Sequence, residues 1–205
     1  MVARIGMTIN GLENLDKIKN LKKDIPLAAV RTLNRVTERA RTVGAKRIRE
    51  EVAFPASYLN PAQKKLYVAK KANKGSLEAV IRASDRATSL SRFVSSGSEG
   101  KMGVTVQVSP GKSRTMRKAF LMKLRSGAAS INTKHNLGLA MRLRNGEVVR
   151  NKKSFKRIKG NLYLLYGPSV DQVFIGKDRS GVAAKMEPEI LDSLQQEFFR
   201  VLGID

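Results

Sequence analysis

DIPLAAVRTLNRVTERARTVGAKRIREEV, residues Asp24 to Val52, is the stretch that decides the fold. Val30, Leu33, Val36, Ala40, Val43 and Ile48 recur in it at spacings of three to five, the period of one face of an α-helix. Asp24 stands two residues before Pro26, an N-cap type ahead of a proline suited to the first helical turn. Phe54-Pro55 stops the helix, because the residue before a proline is pushed out of the helical region. Arg31, Arg35, Arg39, Arg41, Lys46, Arg47 and Arg49 lie between the apolar positions, so one face is oily and much of the rest cationic. Helix charge usually faces water, which makes a solvated amphipathic helix the first reading and a DNA-contacting helix the second.

On the N-terminal side, Val2 to Ile9 alternates as a short strand, Asn10-Gly11 turns the chain, and Leu12, Leu15, Ile18 and Leu21 predict a short first helix. On the C-terminal side, Leu66 to Lys70 and Leu77 to Ala83, separated by Ala72-Asn73-Lys74-Gly75, predict a β-hairpin. The Ser- and Gly-rich interval 84–100 reads as a flexible loop with Leu90 and Phe93 as anchors. Gly103 to Val108 and Ala119 to Leu124 read as strands that pair antiparallel across a basic loop. Segment 125–160 reads as a basic arm or extended loop, in which Leu137 to Leu143 is the one strand candidate. Leu162 to Tyr166 follows as a strand and Gly167-Pro168-Ser169 as a turn. A last helix begins near Glu187, with Pro188 in its first turn and Ile190, Leu191, Leu194, Phe198 and Val201 as apolar positions. These elements make an α+β fold in one domain spanning 1–205: a long N-terminal amphipathic helix, an antiparallel β-sheet with basic loops, and a C-terminal helix.

A chain of 205 residues can bury about 70% of the surface its unfolded form exposes, so it folds without staples. Forty Lys and Arg against 17 Asp and Glu give a net charge of +23, and self-repulsion of that size calls for anionic partners or acidic neighbours. The absence of Cys excludes disulfides, thiolate metal sites and a cysteine nucleophile, and suits assembly in a reducing cytoplasm. Leu162 to Tyr166 is the longest apolar run, far below the roughly 18 residues of a membrane span, and the N-terminus has no signal-peptide pattern.

The charge is concentrated. Residues 101–160 hold sixteen Lys or Arg and one acid, Glu147, for a local charge of +15. Two clusters are candidate DNA- or partner-facing surfaces: Lys112, Arg114, Arg117 and Lys118 between predicted strands, and Lys152, Lys153, Lys156, Arg157 and Lys159 in the arm. Basic loops on a sheet track phosphates without reading bases. Phe155 is the only aromatic among them, which argues against a base-stacking platform. Contacts to acidic proteins explain the charge equally well. The C-terminal helix carries Glu187, Glu189, Asp192 and Glu197 against Arg200, so the chain has opposite-signed ends that head-to-tail subunit contacts could exploit.

No reaction is legible. Ser109-Pro110-Gly111-Lys112-Ser113 ends like a phosphate-binding loop, but Val106 stands where that pattern requires glycine. His135 is the single histidine, which rules out a multi-histidine metal site, and no acid stands near it in sequence to build a triad. Glu50-Glu51 and Glu187-Glu189 fall on predicted helices, where such pairs are usually solvated. The reading is a non-enzyme with no catalytic, cofactor-binding or metal residues, no small-molecule substrate and no membrane.

The order of features resembles the minor tail protein Z family of long-tailed bacteriophages, also called tail completion proteins. The resemblance rests on Gly11-Leu12 and Leu15, on Ala28-Ala29 with Leu33-Asn34-Arg35 and Ala40, and on Ala119-Phe120-Leu121 leading to Arg125-Ser126-Gly127. Its sharpest element is Leu165-Tyr166-Gly167-Pro168-Ser169-Val170, with Phe174 following. Asn34, Arg35, Ala119, Phe120, Gly167, Pro168 and Ser169 are the motif positions, and Ala128 to Gly160 is more basic and less regular than the family pattern. The resemblance implies a structural virion protein at the head-proximal end of the tail (tail completion or neck), assembled in the host cytoplasm. It implies a ring, hexameric like the tail tube, that joins tail to head and takes part in DNA ejection. The implied partners are further copies of itself, tail terminator, tail tube and head-connector proteins, and viral double-stranded DNA held nonspecifically. The alternative, from charge alone, is a nonspecific nucleic-acid-binding protein of ribosome or nucleoid.

Overall fold

The structure is a computed structural model that describes residues 5–7, 24–94, 103–129, 136–144, 147 and 154–203. The helix expected over Leu12 to Leu21, and His135, Lys152 and Lys153, lie outside the described residues. The fold is α+β, with a long N-terminal helix, antiparallel sheets and a C-terminal helix. It divides into two compact units: Met1–Arg47, Leu59–Ser84 and Phe174–Asp205 form the first, Ile48–Tyr58 and Asp85–Val173 the second.

In the first unit, helix α1 (Asp24–Glu51) buries Leu33 and Val36 against Ala72, together with Ile190 and Leu194 of helix α3 (Val182–Leu202). Strands β1 (Ile5–Met7), β2 (Leu66–Lys70) and β3 (Ala79–Ala83) form an antiparallel sheet in the order β1-β3-β2. The Leu66 to Ala83 hairpin is the one the sequence predicts. Its turn is fastened by Asn73, whose backbone pairs with Ser76 and whose side chain accepts from the Gly75 amide at 2.9 Å.

Helix α3 starts at Val182, five residues before the predicted Glu187, so Pro188 lies inside the helix instead of in its first turn. Val182 and Met186 are buried in the added turn, and that packing outweighs the single backbone hydrogen bond that a proline deletes. Gly181, just before α3, donates its amide to Ile175 O at 2.8 Å, and a Cβ there would collide with backbone atoms of Ile175 and Gly176.

In the second unit, Phe54 stacks on Tyr58 and tilts against Phe93, with centroids 5.7 and 5.4 Å apart. Strands β4 (Thr88–Ser89), β7 (Ala119–Lys123), β8 (Leu137–Arg142), β9 (Phe155–Lys159) and β10 (Leu162–Gly167) form a five-stranded sheet. Its order is β4-β10-β8-β7, with β9 also paired to β10. Strands β5 (Val104–Ser109) and β6 (Lys112–Met116) form a separate hairpin. The core comprises Val94, Val104, Val106, Ala119, Leu139 and Leu165.

Two pairings differ from the sequence reading. The strand at Val104 does not pair with the one at Ala119: the intervening basic loop is itself strand β6, with Thr105 opposite Thr115 and Val106 opposite Arg114. Pro110-Gly111 allows this, because Gly111 takes φ +73° in a tight turn that folds Lys112 back onto Ser109. Strand β7 pairs instead with β8. The stretch expected to be an arm contributes strand β9, joined to β10 by the two-residue loop Gly160-Asn161 with Gly160 at φ +55°. Phe155 supplies the apolar anchor for that strand by packing against the core.

Candidate interface and the cationic surface

Of the first basic cluster, Lys112 and Arg114 project from β6, while Arg117 and Lys118 occupy the turn into β7; all four are solvent-exposed. Lys118 is tied down by an ion pair with Glu147, whose other oxygen accepts from the Arg144 amide at 2.8 Å. The Lys118 ammonium foremost, then the Arg144 amide, holds the Glu147 carboxyl below the usual carboxylate range. The one acid of segment 101–160 thus offsets Lys118 and leaves Lys112, Arg114 and Arg117 as the exposed cationic group.

Of the second cluster, Lys156, Arg157 and Lys159 lie exposed on β9. Arg157 is fixed to the hairpin loop by its Nε, which donates to Gly160 O at 2.7 Å. The structure therefore places the described candidates on two different hairpins of one unit, on paired strands and their turns instead of on an arm. Phe155, the only aromatic in the cluster, turns inward and is not available to stack on a base.

The remaining candidates are architectural. The Asn34 side chain bonds both backbone polar groups of Ala72, and its neighbour Arg35 pairs with Glu197 of α3 at 3.3 Å. Ala119 is buried in the core while Phe120 projects to the opposite sheet face. Gly167 ends β10 where a Cβ would press on Leu90 and Phe93 at 3.1 and 3.3 Å. Pro168 leads into Ser169, whose hydroxyl accepts from the Gln172 amide while Gln172 Oε1 accepts from the Ser169 amide, both at 3.0 Å. That reciprocal pair is a capping box for helix α2 (Val170–Phe174), so the Gly-Pro-Ser motif stops a strand and starts a helix. Partial burial, then the charge of Asp85, raises the Asp171 carboxyl in the same turn.

Glu197 is the residue that sequence reasoning missed. The sequence counts it among four acids that give the C-terminal helix its negative charge, yet it is buried, with Arg200 bonded to both its oxygens at 2.6 and 3.0 Å. The available signal was its spacing, three and seven residues after the apolar Leu194 and Ile190, which puts it on the inward stripe. Glu189 likewise takes both oxygens to Arg47, at 2.6 and 2.7 Å. The acidity of α3 left unpaired in the fold is therefore reduced to Glu187 and Asp192, and Arg35 and Arg47 of α1 pair with acids of α3.

The family model of prophage minor tail protein Z matches residues 9–203. The chain belongs to the prophage minor tail protein Z family. Comparison with curated proteins and with solved structures returned no match. As a member of this family the chain is a structural protein of the phage tail, situated in the virion among other virion components. No group of acids or histidines among the described residues could hold a metal ion, and no described helix is long and apolar enough to cross a membrane.

Proposed function

We propose that this minor tail protein Z family member completes the head-proximal end of the tail, closing as a ring, six-fold like the tube, between tail tube, terminator and head connector. The cationic hairpin β5–β6 faces the DNA path, and the exposed cations of β9 face a partner subunit. The observation that carries this reading is the exposure of Lys112, Arg114, Arg117, Lys156 and Lys159 on paired strands and turns of a segment with a single acid. Side chains held on paired strands, with Phe155 of the second cluster packed against the core, suit nonspecific contact with phosphates and no base readout. The role is one of placement and assembly, with no reaction assigned to any residue.

Binding to isolated tail tubes and terminator rings tests the reading. Co-sedimentation that survives excess competitor DNA is expected. A chain that binds duplex DNA as a monomer with a steep salt slope, and ignores tail components, would instead be a general nucleic-acid-binding protein.

A further inference from the structure

The sheet of the second unit has two faces. One covers the core; on the other, the register lines up Phe120, Ala140, Leu164 and Lys156 in a single row across β7, β8, β10 and β9. In the next row Gly138 leaves room for Leu124 and Leu164, whose Cδ2 atoms lie 2.6 and 2.7 Å from where its Cβ would stand. On the other side Arg142, Leu162 and Lys159 follow. Phe120 and Leu124 are 37% and 42% exposed, large apolar side chains on a face with a cationic rim of Lys156, Arg142 and Lys159. Strands about 4.8 Å apart make the four-residue row roughly 14 Å wide, close to the 10–12 Å that one helix with its side chains covers.

Helix α3 of the first unit presents the complement. Its inward stripe carries Met186, Leu194 and Glu197, while Pro188, Leu191, Gln195 and Phe199 recur on the opposite side at helical spacing. Leu191 is 51% and Phe199 41% exposed, and exposed Asp192 and Glu187 flank them.

We infer that the outward stripe of α3 on one copy docks on the Phe120–Leu164 face of the next copy. The occupant is a second copy in head-to-tail contact. A second copy of the same sheet face would bring further cations to the rim of Lys156, Arg142 and Lys159, whereas α3 brings the exposed acids Glu187 and Asp192 to it. A contact between two different patches repeats from copy to copy, and closes into a ring when the rotation allows. The inference rests on the ring reading above and adds its interface.

The chain has no cysteine, so single thiols report the contact cleanly. Full-length Leu191→Cys and Phe120→Cys variants, each checked for a native melting profile, are mixed, assembled with tail tubes and treated with a short bismaleimide. A linked pair containing one copy of each variant is expected, with neither variant linking to itself. Phe120→Cys linking to itself, or an assembled ring that yields no mixed product, overturns the interface while leaving the ring intact. A chain that stays monomeric even on tail tubes overturns both. As an independent check, Asp192→Lys is expected to weaken self-association about tenfold or more, and Lys156→Glu in the same chain to restore much of it. Equal self-association of all three proteins contradicts the inference.

Discussion

Asn34 holds Ala72 from both directions: its Nδ2 donates to the Ala72 carbonyl at 3.0 Å and its Oδ1 accepts from the Ala72 amide at 2.8 Å. One side chain on α1 thereby replaces the hydrogen bonds that a strand neighbour would give to the β2–β3 hairpin, 38 residues away. Arg35, the next residue, reaches Glu197 on α3. Two adjacent motif positions join three elements of the first unit.

Asn34→Ala should leave both polar groups of Ala72 half-buried without their partners and cost about 2 kcal/mol. Urea unfolding measures it. An unchanged midpoint would mean that Asn34 is not a structural clasp.

Glu197 should shape the acid limb of stability. Its carboxyl is held down mainly by the hydrogen-bonded Arg200, with Arg35 and Arg39 adding to the effect and burial opposing it. A carboxyl with a lowered folded pKa contributes stability that is complete above the ordinary value of about 4.3 and is lost as pH falls through the folded value. Glu197→Gln should therefore lower stability near neutrality, by less than about 1 kcal/mol because both arginines are more than half exposed, and make the decline below the carboxylate range shallower. Unfolding curves at neutral and acid pH check this, and parallel declines in both proteins contradict it.

Gly181→Ala should be among the more damaging single substitutions, at about 3 kcal/mol. The added methyl meets backbone of Ile175 and Gly176, which cannot swing aside as a side chain does. A thermal melt matching the parent would show that the link before α3 is looser than the structure has it.

The α-helical parts of the fold were the most legible. Apolar positions from Val30 to Ile48 and from Ile190 to Val201 repeat at helical spacing over enough turns to outweigh local ambiguity. The strand errors share one cause: Lys112–Met116 and Phe155–Lys159 look like solvated loops because their side chains are basic. Their backbone is set instead by the turns at Pro110-Gly111 and Gly160-Asn161. The basic residues were legible as a composition, but their partners were not. Nothing in the local sequence tells that Glu147 takes Lys118, or that Glu189 and Glu197 take Arg47 and Arg35, because those pairs are made by tertiary folding.

Under the proposed DNA-facing role, the same pairs sort the cations by how much each contributes to binding. Replacing both Lys112 and Arg114 with Ala should reduce the slope of log affinity against log salt by about 1.8, if each meets one phosphate. Lys118→Ala should change it less, since Lys118 is already paired with Glu147. Duplex binding titrated over a range of salt concentrations reads both, and equal effects would place Lys118 on the same footing as its neighbours.

The central claim is position, and electron microscopy of phage particles carrying a gold-labelled copy of the chain tests it most directly. The account predicts label at the junction of head and tail and nowhere else along the tube. Label at the distal tip, or spread along the tail, would contradict it.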